Sequence, residues 1–288
     1  LVRPGKAVES FMVSDAALIF GDPTVDAVVE TLGGLDPAYS YGMRALEAGK
    51  HFITANKAMV AAHGLELAAL AREKGAAFLF SAACGGGVPF LHNLALSAEI
   101  DRIEAVSGIL NGTTNYMLDA MQRRSLSYGD ALREAQSLGY AESDPTADVS
   151  GLDALRKMQL ACAVAFGVLP QSGMLCEGME HFTAADVEDI QSRGLVCRLM
   201  ARGSRAGESV SAYVEPVLFP RAAPESSVFT NNNMARYTGK RCGSIVLMGQ
   251  GAGRFPTASA VLRDLSAAQQ GARSMFPENC RAAEADNR

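Results

Sequence analysis

The feature that most constrains the fold is an alternation of strand-like and helix-like segments near the start of the chain. Three runs rich in β-branched or aromatic residues are separated by two amphipathic segments, in the order 25–31, 37–48, 51–55, 57–74 and 77–82. Strands that run parallel need a crossover connection between them, and a helix supplies one. The pattern therefore predicts an α/β protein whose first part is a parallel sheet.

Beyond residue 103 the pattern changes to separate groups of helices and strands. A strand-like run at 103–110 opens this region, and a helix at 256–270 closes it. Between them, helical segments are predicted at 114–122, 128–138 and 150–166, and strands at 195–201, 210–217 and 244–248. This order is typical of an α+β region packed on the first sheet. We expect a loop over 220–233 and a frayed tail beyond Gly271.

Composition excludes several classes of function. The 288 residues carry a net charge of −5 and no large basic cluster, which argues against a nucleic-acid partner. No apolar run reaches the roughly 20 residues that cross a membrane, and the first residues do not resemble a signal peptide. Six scattered cysteines without a Cys-x-x-Cys pair predict neither a zinc site nor a disulfide framework. We expect a cytoplasmic protein.

An acidic segment that ends on two basic residues is the strongest chemical signal. Its charged residues are Glu142, Asp144, Asp148, Asp153, Arg156 and Lys157. Ser150 is predicted to cap a helix that has Asp153 at its third position. Asp153 and Lys157 are four residues apart, so they share one helix face. They form either a surface ion pair behind an acidic loop or two arms of a pocket, and spacing leaves both interpretations open.

Five stretches, in order along the chain, resemble the homoserine dehydrogenase family. They are Thr-Ala-Asn-Lys (54–57), Ala-Cys-Gly-Gly-Gly-Val-Pro (83–89), Gly-Ile-Leu-Asn-Gly-Thr-Thr-Asn-Tyr-Met-Leu (108–118), the segment 139–157, and Gly-Ala-Gly-Arg-Phe-Pro-Thr-Ala-Ser-Ala-Val (251–261). The resemblance covers about residues 25–265. It implies an oxidoreductase that interconverts L-homoserine and L-aspartate 4-semialdehyde with NAD or NADP, in threonine and methionine biosynthesis.

The resemblance also implies a division of the chain. Residues 1–107 are expected to form a partial Rossmann-type nucleotide-binding domain, and residues 108–245 an α+β catalytic domain that dimerises through its sheet. Residues 246–272 would form a Gly-rich turn and a helix that returns to the first domain. Residues 273–288 are expected to be a flexible tail.

One departure from the family concerns the start of the chain. No Gly-x-Gly-x-x-Gly fingerprint, which would seat the cofactor pyrophosphate on a helix N-terminus, precedes Val25. We therefore expect a truncated enzyme. The alternative is an inactive fragment that retains only a binding or dimerisation surface.

The resemblance assigns catalysis to two lysines. Lys157 corresponds to the family's acid/base lysine, with Lys57 assisting at the junction of cofactor and substrate. Alcohol oxidation needs a base for the hydroxyl proton, and a lysine serves when burial or a nearby positive charge, from Lys57 or Arg156, lowers its pKa. Glu142 and Asp153 correspond to the carboxylates that hold the substrate ammonium group.

Further positions are assigned by the same resemblance. Asp148 would reach the substrate pocket behind those carboxylates. Thr31, Lys57, Gly139 and Gly253 correspond to residues that contact the cofactor. Taken alone, the two glycines and the threonine would be ordinary turn residues.

The bend at 81–88 has two functional interpretations. The resemblance places a monovalent cation such as sodium on the backbone carbonyl groups of Ser81, Cys84, Gly86 and Val88. The rival interpretation makes Cys84 the nucleophile of a thiol-dependent semialdehyde dehydrogenase. A simpler role for Cys84 is that of a small apolar side chain packed under a glycine turn.

The pair Asn111-Gly112 also has two interpretations. It is a strong signal for a type I′ hairpin. In the family, this link between a strand and a helix lies along the substrate domain, so the resemblance implies a scaffold that can also contact the pocket, and Thr113 and Thr114 could cap the helix.

Overall fold

The computed structural model describes residues 12–287, and its first part is a small parallel sheet with helices. The elements are α1 (Ala17–Gly21), β1 (Ala27–Glu30), α2 (Ala38–Glu47), β2 (His51–Thr54), α3 (Lys57–Lys74), β3 (Phe78–Leu79) and α4 (Phe90–Ile100). The three strands pair in the order β1-β2-β3, and both pairings are parallel. The predicted parallel sheet is confirmed, although its third strand ends early in a 3₁₀ turn at Ser81–Ala83.

The second part is built on a six-stranded sheet. Its elements are β4 (Ile103–Ile109), α5 (Gly112–Arg124), α6 (Tyr128–Ser137), α7 (Thr146–Val149), α8 (Leu152–Phe166), β5 (Val168–Ser172), β6 (Leu175–Cys176), α9 (Ala184–Ser192), β7 (Leu195–Ala206), β8 (Ser209–Pro220), β9 (Asn232–Gly239), β10 (Gly243–Gln250), α10 (Arg254–Gln269) and β11 (Arg281–Glu284). The strand order is β10-β9-β4-β7-β8-β6. Because β4 belongs to this sheet, the expected domain boundary at residue 107 falls inside a strand.

Helix α8 lies at the centre of the second part. Most of its apolar side chains, among them Met158, Leu160 and Phe166, are almost fully buried. The sheet approaches the helix closely, since a side chain at Gly203 of β7 would collide with the Cys162 sulfur. The helix and the sheet therefore form one core.

The starts of α5 and α8 differ from the predictions. Asn111 does not form a hairpin turn, because its side chain accepts a hydrogen bond from the Thr114 backbone N–H at 2.9 Å and caps α5. Ser150 does not cap α8. Gly151 occupies that position with φ of 81°, a conformation that favours glycine, and Asp153 is the second helical residue.

The expected loop at 220–233 is confirmed over 221–231, and strand β9 begins two residues before the expected end of the loop. A further prediction, at the end of the chain, is wrong. Over residues 272–287 the tail is not frayed. Met275 and Phe276 are buried, and β11 pairs in parallel with β5. Such pairing between distant segments leaves no local pattern in the sequence. Among residues 12–287, no helix has the length and apolar character needed to cross a membrane.

Helix α10 is attached to the first sheet through a buried carboxylate. Asp264 is 1% exposed and accepts a hydrogen bond from the Ser81 backbone N–H at 2.8 Å. Burial raises the pKa of Asp264 from 3.8 to about 6. The protonated form is thus favoured in the folded protein, so stability is greatest below the unfolded pKa and declines as pH rises through the folded one.

We expect Asp264→Asn to remove this pH dependence. Wild type should lose about 3 kcal/mol of stability through Asp264 between pH 3.5 and pH 7.5, since each unit of pKa shift corresponds to about 1.4 kcal/mol. The variant should not lose it, so the variant gains on wild type by that amount as the pH rises. Urea unfolding across this range measures the difference. Asp186→Asn is the matched control with the opposite sign, because hydrogen bonds from Thr183 lower the pKa of Asp186. A pH-independent difference for Asp264→Asn would contradict the expectation.

Candidate active site

A cavity of about 680 Å³ lies beyond the carboxyl ends of β2, β4 and β10. Lys57, the first residue of α3, enters it three residues after β2. The segment between α6 and α8 and the first turn of α10 form other walls. Ligands of parallel-sheet proteins bind at this edge of the sheet. Most residues assigned from the sequence line the cavity, namely Lys57, Gly139, Glu142, Asp148, Asp153, Lys157 and Gly253.

Lys157 lies at the buried end of the cavity. Its side chain is 12% exposed and forms an ion pair with Asp153 at 2.6 Å. Its Nζ also donates a hydrogen bond to the Leu110 carbonyl oxygen at 2.7 Å. The spacing of four residues therefore produces a pocket pair and not a surface pair. Two fixed partners hold the ammonium group in one position.

Asp153 joins three side chains from three helices or their caps. One carboxylate oxygen lies 3.0 Å from Lys57 Nζ, and the other lies 2.6 Å from Lys157 Nζ. The Asn111 side-chain N–H donates to the second oxygen at 2.9 Å. A buried carboxylate is costly unless it is paired in this way.

Electrostatics in this cluster differ from the expectation for Lys157. Burial pushes its pKa down, but the Asp153 carboxylate outweighs burial, so the pKa of Lys157 lies above its ordinary value. Burial pushes the pKa of Asp153 up, but the two lysines and Asn111 lower it well below its ordinary range. Lys57 pairs with Asp153 at 3.0 Å, and the pKa of Lys157 is not lowered as expected. The resting pair is an ammonium and a carboxylate.

Asp148 lies beside this cluster. Its carboxylate accepts a hydrogen bond from the Asn111 side chain at 2.7 Å. Burial raises the pKa of Asp148 above its ordinary value, although the bond from Asn111 opposes the shift. Asp144, in contrast, accepts hydrogen bonds from Thr146 and shapes the loop before α7.

Of the remaining assigned residues, some line the cavity and one does not. Glu142 is exposed at the cavity wall, where it can meet a ligand from solvent. Gly139 and Gly253 both line the cavity, and Gly253, with φ of 117°, precedes the first residue of α10. Thr31 follows β1 and is exposed, and it is not among the residues that line the cavity.

Several cavity residues were not among the site residues assigned from the sequence. Asn111 is the most important, because it contacts both Asp148 and Asp153. Thr113 donates a hydrogen bond to the Tyr140 carbonyl oxygen at 2.5 Å and joins α5 to the opposite wall. The sequence signal that could have identified them is the Asn-Gly-Thr-Thr segment, because its polar residues directly follow a strand.

The bend at 81–88 is buried beside the cavity. The proposed cation positions are Ser81, Cys84, Gly86 and Val88, and in two of them the carbonyl oxygen already accepts a backbone hydrogen bond, from Cys84 to Ser81 and from Phe90 to Val88. The Cys84 side chain is 0% exposed, and burial raises the pKa of its thiol to about 12. A nucleophilic cysteine requires the opposite shift.

Family sequence models match most of the chain. The one described as homoserine dehydrogenase matches residues 89–266, and the one described as homoserine dehydrogenase, NAD binding domain, matches residues 6–81. The homoserine dehydrogenase of Corynebacterium glutamicum is 40% identical over 269 residues, which are 91% of this chain and 60% of the relative. That of Bacillus subtilis is 37% identical over 256 residues, which are 88% of this chain and 59% of the relative. The chain thus spans about 60% of the length of these curated relatives.

Solved structures of the same family have a similar fold. A homoserine dehydrogenase from Thiobacillus denitrificans superposes with a TM-score of 0.88 at 35% identity, over 94% of this chain and 66% of that chain. A hyperthermophilic archaeal homoserine dehydrogenase mutant in complex with NADPH gives a TM-score of 0.74 at 28% identity, over 89% of this chain and 73% of that chain. The chain therefore belongs to the homoserine dehydrogenase family.

Proposed function

We propose that this chain carries the catalytic site of an NAD- or NADP-dependent homoserine dehydrogenase. The reaction interconverts L-homoserine and L-aspartate 4-semialdehyde. The observation that carries the proposal is the buried arrangement of Lys157, Asp153 and Lys57 at the inner end of a polar cavity. One proton accompanies the hydride in this chemistry, and a positioned lysine can supply or remove it.

Lys157 is the proposed acid/base residue. Because Asp153 keeps its pKa high, Lys157 is an ammonium group at neutral pH and is ready to protonate the carbonyl oxygen of the semialdehyde. In the reverse direction, it must first lose its proton before it can accept one from the homoserine hydroxyl. Lys57, on the other side of Asp153, adds positive charge that stabilises a developing alkoxide.

The substrate ammonium group is proposed to bind at the acidic wall. Asp153 is already held between two lysines, so its proposed main role is to orient Lys157. Glu142 and Asp148 are then the carboxylates that meet the ammonium group. A carboxylate beside a bound cation is stabilised in its ionised form, which offsets the effect of burial on Asp148.

The nicotinamide cofactor is proposed to enter along the rim that carries Gly139 and Gly253. The residues present fit such a ligand, since the backbone at Gly253 leads into the N-terminus of α10, where helix N–H groups favour anions. When bound, the cofactor supplies or accepts the hydride. Thr31 and Lys57 are retained as proposed contacts. The bend with Ser81 and Cys84 is the proposed seat of a monovalent cation.

The direct test is homoserine-dependent reduction of NAD and of NADP by the purified chain. The same assay is run on the chain extended to the full length of its relatives. Turnover by either protein supports the proposal. The ratio of its rate with NAD to its rate with NADP gives the cofactor preference. If both proteins are folded and neither turns over, the proposed activity is wrong and the binding-module alternative gains support.

Modification of cysteines separates the proposal from the thiol-dependent alternative. We expect Cys84→Ala to retain turnover and to lose only about 1 kcal/mol of stability, as small buried truncations do. Iodoacetamide should label the exposed Cys176 and Cys242 in the folded protein and leave Cys84 unlabelled. Peptide mapping by mass spectrometry measures this pattern. Labelling of Cys84 in step with loss of activity would favour the thiol mechanism.

A homodimer is proposed through the face of the six-stranded sheet turned away from α8. Polar cross-strand pairs, Ser204 with Ser211 and Thr238 with Ser244, lie on this face beside the exposed Val246 and Met248. A broad sheet face that carries both polar and apolar side chains suits an isologous contact. 

Light scattering tests the proposed dimer. We expect a dimeric mass for wild type and dissociation by Val246→Asp combined with Met248→Asp. Leu262→Asp, at another exposed apolar residue on α10, is the control. A monomeric wild type would contradict the proposal.

The protein is also proposed to act in the cytoplasm. All six cysteines are free thiols, as expected in a reducing compartment.

A further inference from the structure

The side chain of Asn111 occupies the centre of the charged cluster without carrying a charge. Its Nδ2 donates to Asp148 at 2.7 Å and to Asp153 at 2.9 Å. Both N–H groups of the amide are therefore used on carboxylates. The residue is 4% exposed, so water does not compete freely for these bonds.

The orientation of this amide is fixed by its other end. Oδ1 accepts hydrogen bonds from the Thr114 backbone N–H at 2.9 Å and from the Thr114 hydroxyl at 3.1 Å. A flipped amide would aim its oxygen at two carboxylates and its N–H groups at a helix N-terminus, and both contacts would be repulsive. Capping of α5 therefore determines that Nδ2 faces the carboxylates.

The backbone next to Asn111 holds the other member of the catalytic pair. Lys157 donates to the carbonyl oxygen of Leu110, the preceding residue. Residues 110 and 111 thus anchor both the ammonium group and the carboxylate with which it pairs. The end of β4 and the start of α5 set their separation.

We propose that Asn111 is a positioning residue of the proposed reaction, which locks Asp153 against Lys157 and keeps Asp148 beside them as a substrate-binding carboxylate. This inference rests on the proposed function for its kinetic consequences. Its electrostatic consequence is independent, because the two hydrogen bonds favour the ionised carboxylates whether or not turnover occurs.

The charged groups around Asp148 come from several elements. Asp153 and Lys157 face it from α8, Lys57 faces Asp153 from α3, and Glu142, Asp144, Arg156 and Arg254 line the same cavity. Among the groups that act on Asp148, the Asn111 hydrogen bond is the largest that favours its ionised form. Loss of this bond should therefore raise the pKa of Asp148 further.

Two substitutions of Asn111 separate its role as a hydrogen-bond donor to the carboxylates from its role as the cap of α5. Asn111→Asp keeps an oxygen that accepts from Thr114 but replaces both donors by a third negative charge. Asn111→Ser also keeps a good cap, but its shorter side chain does not reach the carboxylates. We expect kcat to fall about 10- to 100-fold in Asn111→Ser and further in Asn111→Asp. The acidic limb of the pH–rate profile should move to higher pH in both.

The matched control is another helix cap away from the cavity. Ser127 accepts a hydrogen bond from the Asp130 N–H at 3.1 Å and caps α6. Ser127→Ala should lower stability by about 1 kcal/mol and leave kcat and the pH profile unchanged. If the role of Asn111 is purely structural, kcat and the pH profile of Asn111→Ser should also be unchanged. That result would overturn the inference.

A measurement without turnover distinguishes failure of the inference from failure of the proposed function. Carboxylate titration by NMR, on protein labelled with ¹³C at aspartate, follows Asp148 directly. We expect its pKa to be higher in Asn111→Ser than in wild type and unchanged in Ser127→Ala. Equal values in wild type and Asn111→Ser would overturn the inference even if homoserine is not the substrate.

Discussion

Replacement of Lys157 by methionine is expected to reduce kcat by a factor of about 10²–10⁴ in both directions of the proposed reaction, the usual contribution of a positioned acid/base group. Methionine preserves much of the apolar volume but carries no proton. Asp153 keeps Lys57 and Asn111 as partners, so its carboxylate does not become an isolated buried charge. Folding should therefore survive, and the loss should appear in kcat rather than in KM.

Two variants define the outcome for Lys157. Lys157→Arg keeps the positive charge beside Asp153 but cannot release a proton, so it should lose as much activity as methionine. Lys74→Met, at a lysine paired with its neighbour Glu73 on α3, should retain wild-type rates. Steady-state kinetics and thermal unfolding measure both properties. Substantial activity in Lys157→Met, with the protein folded, would remove this lysine from the mechanism.

Replacement of Asp153 by asparagine is expected to produce the largest loss of stability. The substitution removes the carboxylate that pairs with both Lys157 and Lys57 and leaves only Asp148 nearby, and breaking a buried pair in this way costs about 3–5 kcal/mol. The effect depends on pH. Because the pKa of Asp153 is depressed in the folded protein, its contribution is present above the unfolded pKa and is lost as pH falls below about 4.

The same substitution should change the pH dependence of catalysis. Without Asp153, burial is opposed mainly by the weaker influence of Asp148, and the pKa of Lys157 should fall below the ordinary value. Residual homoserine oxidation should then reach its plateau at lower pH than in wild type. Urea unfolding and pH–rate profiles test both effects. A variant as stable as wild type at neutral pH, with the same profile, would show that the lysines do not depend on this carboxylate.

The first sheet was predicted well because its signals are local. Each strand is a short apolar run, and α3 begins at Lys57 directly after the capping Asn56, whose side chain accepts from the Met59 N–H. Errors occur where the decisive contact is distant. Strand β11 exists because it pairs with β5, and no periodicity within its four residues distinguishes it from a frayed tail.

The N-terminal starts of α5 and α8 illustrate a different kind of error. Asn111-Gly112 suits a hairpin turn as well as a helix cap, and only the surrounding sheet selects the cap. At α8 a serine precedes a glycine, and the usual preference favours the serine as cap. The chain passes instead through a left-handed conformation at Gly151, because helix α7 ends immediately before it.

By itself, the sequence identified the residue types of the proposed site. It identified a lysine and a carboxylate one helical turn apart, a second lysine at the end of a parallel strand, and the glycines that line the cavity. Only the tertiary structure decided the state of these groups. It placed Lys57 on Asp153 and turned the amide of Asn111 toward two carboxylates. The pKa of Lys157 is raised by Asp153, where the expected base chemistry had suggested a lower value. The physical reason is that a pKa depends on burial and on distances of a few ångströms between helices, and neither quantity is present in local sequence.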